Sequence, residues 1–568
     1  KSLFNSFVKH FKMKNNPICL LTKRAASFIV MSFILLLTQT VFAQTISIVK
    51  DINPGGASNP NLLYNMDGTL FFVASSTGLN SQLWKSDGTE SGTMMVKDIN
   101  PTGNDELMNF IGFNGKLFFE ANDGTNGKEI WVSDGTNSGT LMIKNIHPSG
   151  NGGFSQGIVF EGLLYFSANN SINGSEWWIT DGTEVGTTML VDSSTTNGSP
   201  EHPCIFDDNL FFNYNDGIRG KELWKSDGTP GGTKLVKDIN TITPAGSIPQ
   251  FFTEMNGQLF FGADNGSHGR ELWVTDGTEQ GTVMLKDIRQ GAIGSDPKGF
   301  VVHNGSLFFP AHDGVNGTEL WISDGTEAGT QLFKDINPGA AGGDIINLIS
   351  IGNHLFFTAT DGINGRELWI SDGTPTGTHM LKNIHPTGSA FNGYFYFTPY
   401  PVEYAGKIYF AADDGNGFEL WFTDGTESGT QMLEYPGAIH ASPLDMIPAI
   451  VKCNNVLIFS ANYDGDGNEL YKVTDGSSEI PETEFFNNAL KIFPNPANNV
   501  IFLNNPFENR EAMNIQIRTM QGEIVYQCMT NQGSTKVSIS IDHLTPALYT
   551  IRISSDNQIL ETRFLVIK

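Results

Sequence analysis

The chain has 568 residues, 34 Lys and Arg against 60 Asp and Glu, a formal net charge of −26 and a pI near 4.7. Phosphate binding needs clustered Lys and Arg, so this balance excludes nucleic acid and anionic membrane surfaces as partners. It suits a highly soluble extracellular protein that meets divalent cations.

Residues 1–43 read as an upstream extension and a secretory signal peptide, with Met13 as a candidate start. A basic Lys23-Arg24 flank precedes an apolar core at residues 28–37, and Val41-Phe42-Ala43 supplies a small-residue cleavage site before Gln44. The core is too short to span a bilayer comfortably, so no transmembrane segment is expected once the signal is removed. Cys19 lies ahead of the core rather than at the cleavage point, which argues against a lipoprotein. Only Cys204, Cys453 and Cys528 follow, in different units, and they do not make a disulfide framework.

From residue 44 to about 480 one phrase recurs. KEIWVSDGTNSGT at residues 128–140 returns as SQLWKSDGTESGT, SEWWITDGTEVGT, KELWKSDGTPGGT, RELWVTDGTEQGT, TELWISDGTEAGT, RELWISDGTPTGT and FELWFTDGTESGT, and fades to NELYKVTDGSS. Its anchoring aromatics are Trp84, Trp131, Trp178, Trp224, Trp273, Trp321, Trp369, Trp421 and Tyr471, spaced 46 to 52 residues apart. A period of that size built from short strands signals a propeller or solenoid.

Each unit holds four β-rich runs, here named a to d, separated by Gly, Asn and Asp clusters, as in an antiparallel meander. Asn114-Gly115 at the a/b junction suits a type I′ turn, whose two central residues both need positive φ. Strand b is apolar on consecutive positions (Leu117, Phe118, Phe119), as in a sheet sandwiched between two others. Strands a, b and c occur nine times, but d follows c only eight times. The missing copy is SIVKDIN at residues 47–53, matching VKDIN in the first unit. The expectation is therefore an all-β, closed β-propeller of about nine four-stranded blades, with the N-terminal strand completing the last blade and removing the sheet edges.

Residues 481–490 are an acidic linker, and residues 491–568 carry about six short strand-like runs, enough for a small β-sandwich. FPNPANN, MQGEIVYQ and LYTIRI with the RFLVIK ending resemble the type A C-terminal sorting domain of type IX secretion. That resemblance implies that residues 491–568 engage the secretion machinery and that the protein ends outside the cell or on its outer surface. Pro546-Ala547-Leu548 departs from the usual Gly before the Tyr motif. The repeat region resembles the ELWxxDGT repeat family, a secreted group without assigned chemistry.

In a meander, the a/b and c/d turns share one face, and the b/c turns and d-to-a connections share the other. The first face is nearly invariant between units; the second is variable, which places a ligand there. The b/c turns carry Asp123, Asp216, Asp313, Asp361, Asp414 and Asp464, candidate ligands for Ca²⁺, although turn capping alone accounts for them. Tyr394, Tyr396 and Tyr400, among other aromatics of the longest unit, including Phe391 and Tyr404, are candidates for stacking on sugar or a protein partner. Glu129 and its counterparts, beside Lys144 and its counterparts, suggest structural ion pairs. Gly153–Gly157 fits G-x-S-x-G but lacks the strand-to-helix context. No catalytic residue is assigned, Glu201-His202 and His440 being the only asymmetric titratable groups that stand out. These observations favour a binding or adhesion module for glycan or protein. A secreted polysaccharide- or peptide-cleaving enzyme and a Ca²⁺-stabilised structural surface protein are the alternatives.

Overall fold

The computed structural model describes residues 44–77, 80–190, 197–242, 244–391, 401–435, 444, 450–465 and 467–474. In the C-terminal part it describes residues 492–493, 500–504, 514–519, 524–530, 536–541, 544–545, 547–554 and 559–566. The signal peptide, the linker, Tyr394, Tyr396, Tyr400 and His440 lie outside the described residues. The chain divides into two compact units, residues 1–476 and 477–568.

Among the described residues, the first unit contains nine four-stranded antiparallel sheets, each with its strands in sequence order except the last. In the second sheet the strands are Met108–Phe113, Lys116–Asn122, Lys128–Ser133 and Leu141–Lys144. The turn between the first two has φ of 50° at Asn114 and 70° at Gly115, the two positive values that a type I′ hairpin requires. In the ninth sheet, Ile450–Cys453, Val456–Ala461 and Glu469–Thr474 are completed by Thr45–Lys50, with Thr45 opposite Thr474 and Ile46 opposite Val473. The segment after residue 44 thus supplies the outer strand that the last sheet lacks, as the strand count predicts.

The c/d hairpin explains the repeated phrase residue by residue. Asp134 Oδ1 accepts from the Thr136 amide at 2.8 Å and its hydroxyl at 2.7 Å, and Thr136 Oγ1 accepts from Gly139 N at 3.0 Å. The Thr140 hydroxyl donates to Thr136 O at 2.7 Å, and Ser133 Oγ lies 2.8 Å from Thr140 Oγ1. A Cβ at Gly139 would overlap the Asp134 carboxylate, so the second glycine of the phrase is a steric requirement. These bonds hold the Asp134 carboxyl below its ordinary range.

Strand b of the second sheet is apolar on successive residues because its two faces serve two neighbours. Leu117, Phe119 and Ala121 join Phe71, Val73 and Leu83 of the first sheet, while Phe118 joins Leu164 and Phe166 of the third. Trp131 packs back onto the first sheet in the same cluster. Such an apolar seam lies between each consecutive pair of sheets. One more unites Val49, Ile52, Ile458 and Leu470 of the ninth sheet with Leu70, Phe72 and Trp84 of the first. First strands of neighbouring sheets lie side by side, and Asn61–Met66 adjoins both Met108–Phe113 and Ile450–Cys453.

The second unit contains a three-stranded sheet (Ile492–Phe493, Val500–Asn504, Lys536–Ser540) and a four-stranded one. In the latter, Asn514–Thr519 lies between Ile524–Met529 and Ala547–Ser554, with Ile559–Val566 outermost. Ile501 and Ile539 of one sheet share an apolar cluster with Ile515, Ile517, Ile551 and Ile553 of the other, all 0–1% exposed.

Candidate functional site

The repeated acid and base have separate duties. Glu129, fully buried, accepts from the amides of Ile146 (2.7 Å), His147 (3.0 Å) and Gly152 (3.1 Å), which belong to the connection leading to the third sheet. Glu222, Glu271, Glu319 and Glu367 do the same in their own sheets. Glu469 accepts from Ile52 and Ser58, on the connection from the ninth sheet to the first. Lys144 Nζ instead donates to Thr187 O at 2.8 Å in the c/d turn of the next sheet, and Lys97, Lys237, Lys286 and Lys382 reach forward likewise. Lys50, in the outer strand of the ninth sheet, donates to Thr93 O of the first at 3.0 Å. The ion pairs expected between these two series are therefore absent among the described residues. The charges named here are matched by backbone dipoles, because the Glu side chain sits under its own connection and the long Lys stem reaches the neighbouring sheet.

The first sheet has Gln82 in place of the glutamate, and the structure compensates. Asp105, fully buried in the first connection, accepts from Ile99 N at 3.1 Å and Asn100 N at 2.7 Å, the amides equivalent to those that Glu129 holds. Burial raises the carboxyls of this set: Asp105 to about 6, Glu367 to about 7, and Glu129 upward although three amides oppose the shift.

The proposed Ca²⁺ ligands are dispersed, one per turn. Asp123 Oδ1 accepts from the amides of Thr125 (2.9 Å) and Asn126 (2.8 Å), and Oδ2 from Asn126 Nδ2 at 2.7 Å. Burial pushes this carboxyl up, but the turn donors outweigh it and hold it below its ordinary range. Asp313 and Asp361 repeat the arrangement, Asp216 uses Arg219 in place of the Asn amide, and Asp414 accepts from Asn416. In the ninth sheet, Asn462 rather than Asp464 accepts from Gly465 and Gly467. Among the described residues, no three His, Cys, Asp or Glu side chains converge as a metal site. Of the aromatics of the longest unit, Phe391 and Tyr404 are buried, against Phe410 and Tyr409 respectively.

What sequence reading misses is the entrance to strand a. Four residues before the last residue of that strand, Leu62, Asn109, Gln156, His202, Phe251 and Asn347 have φ between 49° and 61°, and Gly299 occupies the same offset with φ 57°. Each of the six lies in a bulge, the register slipping from Met108 to Ile111, for example, and from Gln250 to Thr253. Left-handed backbone costs a bulky residue roughly 1–2 kcal/mol, and a bulge re-aims the side chain it carries. Tyr400 stands at the same offset before Tyr404 in the sequence.

Three of these side chains, Asn109, Gln156 and His202, reach the next sheet. Asn109 Nδ2 donates to Phe154 O at 2.6 Å, Gln156 Oε1 accepts from His202 N at 3.0 Å, and the His202 and Phe251 rings lie 6.3 Å apart at 39°. Nearby charges are already matched: Lys221 Nζ is 2.7 Å from Glu201, and Arg270 Nη1 donates to Ile248 O and Gly262 O, both at 2.9 Å. Burial lowers the His202 pKa, Glu201 opposes this, and Lys221 and Arg270 reinforce it, so the ring is neutral at neutral pH. The b/c turns on the same face expose Ile172, Ile218, Val315 and Ile363, each at least 66% accessible. A cleft of about 230 Å³ between Tyr64 and Asn114, at the a/b hairpins, falls below the roughly 300 Å³ at which ligand pockets begin.

Residues 491–568 match the secretion system C-terminal sorting domain family. They are a type IX secretion sorting domain, and they direct the protein to the extracellular space or cell surface. No curated protein matches the chain. Among solved structures, a puromycin hydrolase is similar at 14% identity and a TM-score of 0.35, covering 73% of this chain and 61% of that one. Prolyl oligopeptidase B from Galerina marginata is similar at 12% identity and a TM-score of 0.35, covering 67% and 55%. The chain thus spans less than two thirds of the length of these structures. Among the described residues, no helix is long and apolar enough to cross a membrane.

Proposed function

We propose that residues 44 to about 480 form a closed nine-bladed β-propeller of the ELWxxDGT kind, serving outside the cell as a binding module for glycan or protein. Its sorting domain takes it there. Support for the closed form comes from the return of every repeated device to its start: the ninth seam, the Glu469 cap and the Lys50 cap all join the last sheet to the first. In that form the first strands surround the central axis, and the variable connections and b/c turns surround one mouth.

The observation that carries the binding reading is the row of strained, non-repeating side chains at this mouth. The repeated charged and turn-forming residues serve neighbouring backbone, so they leave little room for a ligand role, whereas Leu62, Asn109, Gln156, His202, Phe251 and Asn347 hold a costly backbone that Gly299 manages without a side chain. Incubating the secreted protein with a panel of polysaccharides and extracellular proteins tests the reading. Binding without bond cleavage is expected; cleavage of any substrate would replace it with the enzyme reading.

A further inference from the structure

We propose that Gln156, His202 and Phe251 form a subsite for an uncharged sugar ring of an extracellular glycan, the ring seated on the Phe251 face and its hydroxyls bonded by Gln156 and His202. The inference rests on the binding reading above and names its ligand class.

Three consecutive sheets present these residues at one offset, each in the left-handed region and each touching the next. Phe251 is the costliest member: a bulky side chain at φ 61° with 38% of its surface accessible gains less from burial than a core phenylalanine such as Phe261, which is fully buried. Folding alone does not call for it, since glycine fills the corresponding place in the next sheet.

The chemistry of the row selects among ligands. Glu201 is held by Lys221, and Arg270 is held by two carbonyls with Asp296 at 3.8 Å from its Nε, so an ionic ligand would have to compete with existing partners. What remains is an aromatic face flanked by an amide and an imidazole, the two rings tilted by 39° to each other. A pyranose offers the complement, with an apolar C–H face and a rim of hydroxyls. A protein hot spot would want a desolvated pocket for an anchor side chain, whereas this surface is open. Asn109 and Asn347 place further amides at the same offset in other sheets, which suits a chain of sugar units rather than a single one.

The test is calorimetric titration of the full secreted chain with neutral hexasaccharides (β1,4-glucan, β1,3-glucan, β1,4-xylan, β1,4-mannan and α1,4-glucan), with hexagalacturonate as the charged control. At least one neutral hexasaccharide is expected to bind, at least tenfold more weakly to Phe251→Ala and to Gln156→Ala, with Phe251→Trp retaining affinity. Phe251→Gly, which copies the backbone of the sixth sheet, guards against misfolding: it should unfold at the same temperature as the parent and still lose the sugar. Binding of a neutral hexasaccharide that none of these substitutions alters would overturn the subsite and leave the binding reading standing. Binding of hexagalacturonate alone would do the same. If no hexasaccharide and no extracellular protein binds, both fall.

Discussion

At the c/d hairpins, the repeated Ser, Asp and Thr side chains, such as Ser133, Asp134, Thr136 and Thr140, bond within their own turn. At the entrance to strand a, residues of unrelated chemistry occupy a backbone shape that favours glycine. Both regions come from the same repeat, yet one has converged on a single sequence and the other has not. Where local hydrogen bonds fix a turn, there is one good solution and each unit uses it. Where the backbone is set by a bulge and the side chain faces outward, the fold leaves the residue open, and the choice there has to be read as chemistry for something else.

The largest effect should come from removing a repeated residue. Glu129→Ala leaves three buried amides without an acceptor and should cost about 3 kcal/mol or more in urea unfolding, while Glu129→Gln, keeping one acceptor oxygen, should cost roughly half as much. An equal effect from both would mean that charge rather than amide capping matters. Asp105→Gly should be nearly as damaging, about 2–3 kcal/mol, and adding Gln82→Glu should recover most of the loss, because the pair then copies the second sheet with its Glu129 and Gly152. Additive losses in the double variant would show that Asp105 does not stand in for the missing glutamate.

Acidity separates the two kinds of carboxylate. Glu367 has a folded pKa near 7 against an ordinary 4.5, so between these values the folded state binds more protons than the unfolded chain and stability falls as pH rises. Glu129, Glu222, Glu271, Glu319 and Glu469 are shifted in the same direction. The hairpin carboxyls, such as Asp134, shift the other way, and their contribution is lost only as pH drops below about 4. The thermal midpoint should therefore decline from pH 5 to pH 8, and Glu367→Gln should flatten that decline. The smallest effects belong to the strand a entrance. Gly299→Ala should destabilise by about 1 kcal/mol, since φ 57° strains any side chain, whereas Phe251→Gly should change stability by less than about 1 kcal/mol. A loss of several kcal/mol from Phe251→Gly would make that residue part of the scaffold.

Much of the scaffold was legible in the sequence for physical reasons. Asn114-Gly115 announces its own turn, the DGTxxGT phrase announces a side-chain-capped hairpin, and Leu117-Phe118-Phe119 announces a strand with a neighbour on each face. The stray SIVKDIN copy at residues 47–53 foretold the pairing of Thr45–Lys50 with Glu469–Thr474. The ion pairs were misread because proximity along adjacent strands says nothing of where side chains go. Glu129 bonds amides 17 to 23 residues ahead, and Lys144 reaches a carbonyl 43 residues ahead. The left-handed row left almost no mark, since Leu, Asn, Gln, His and Phe share no turn signature; only Gly153 and Gly299, at related offsets, hinted at the backbone beneath.

The proposed cyclic order of the nine sheets is tested most directly at its seam. Thr45 Oγ1 and Thr474 Oγ1 lie 3.0 Å apart, so a Thr45→Cys, Thr474→Cys protein should form a disulfide under mild oxidation, recovered as a cross-linked peptide and accompanied by a higher unfolding temperature. If both introduced thiols instead stay open to alkylation in the folded protein, the first strand does not complete the last sheet, and the ring built on it comes apart.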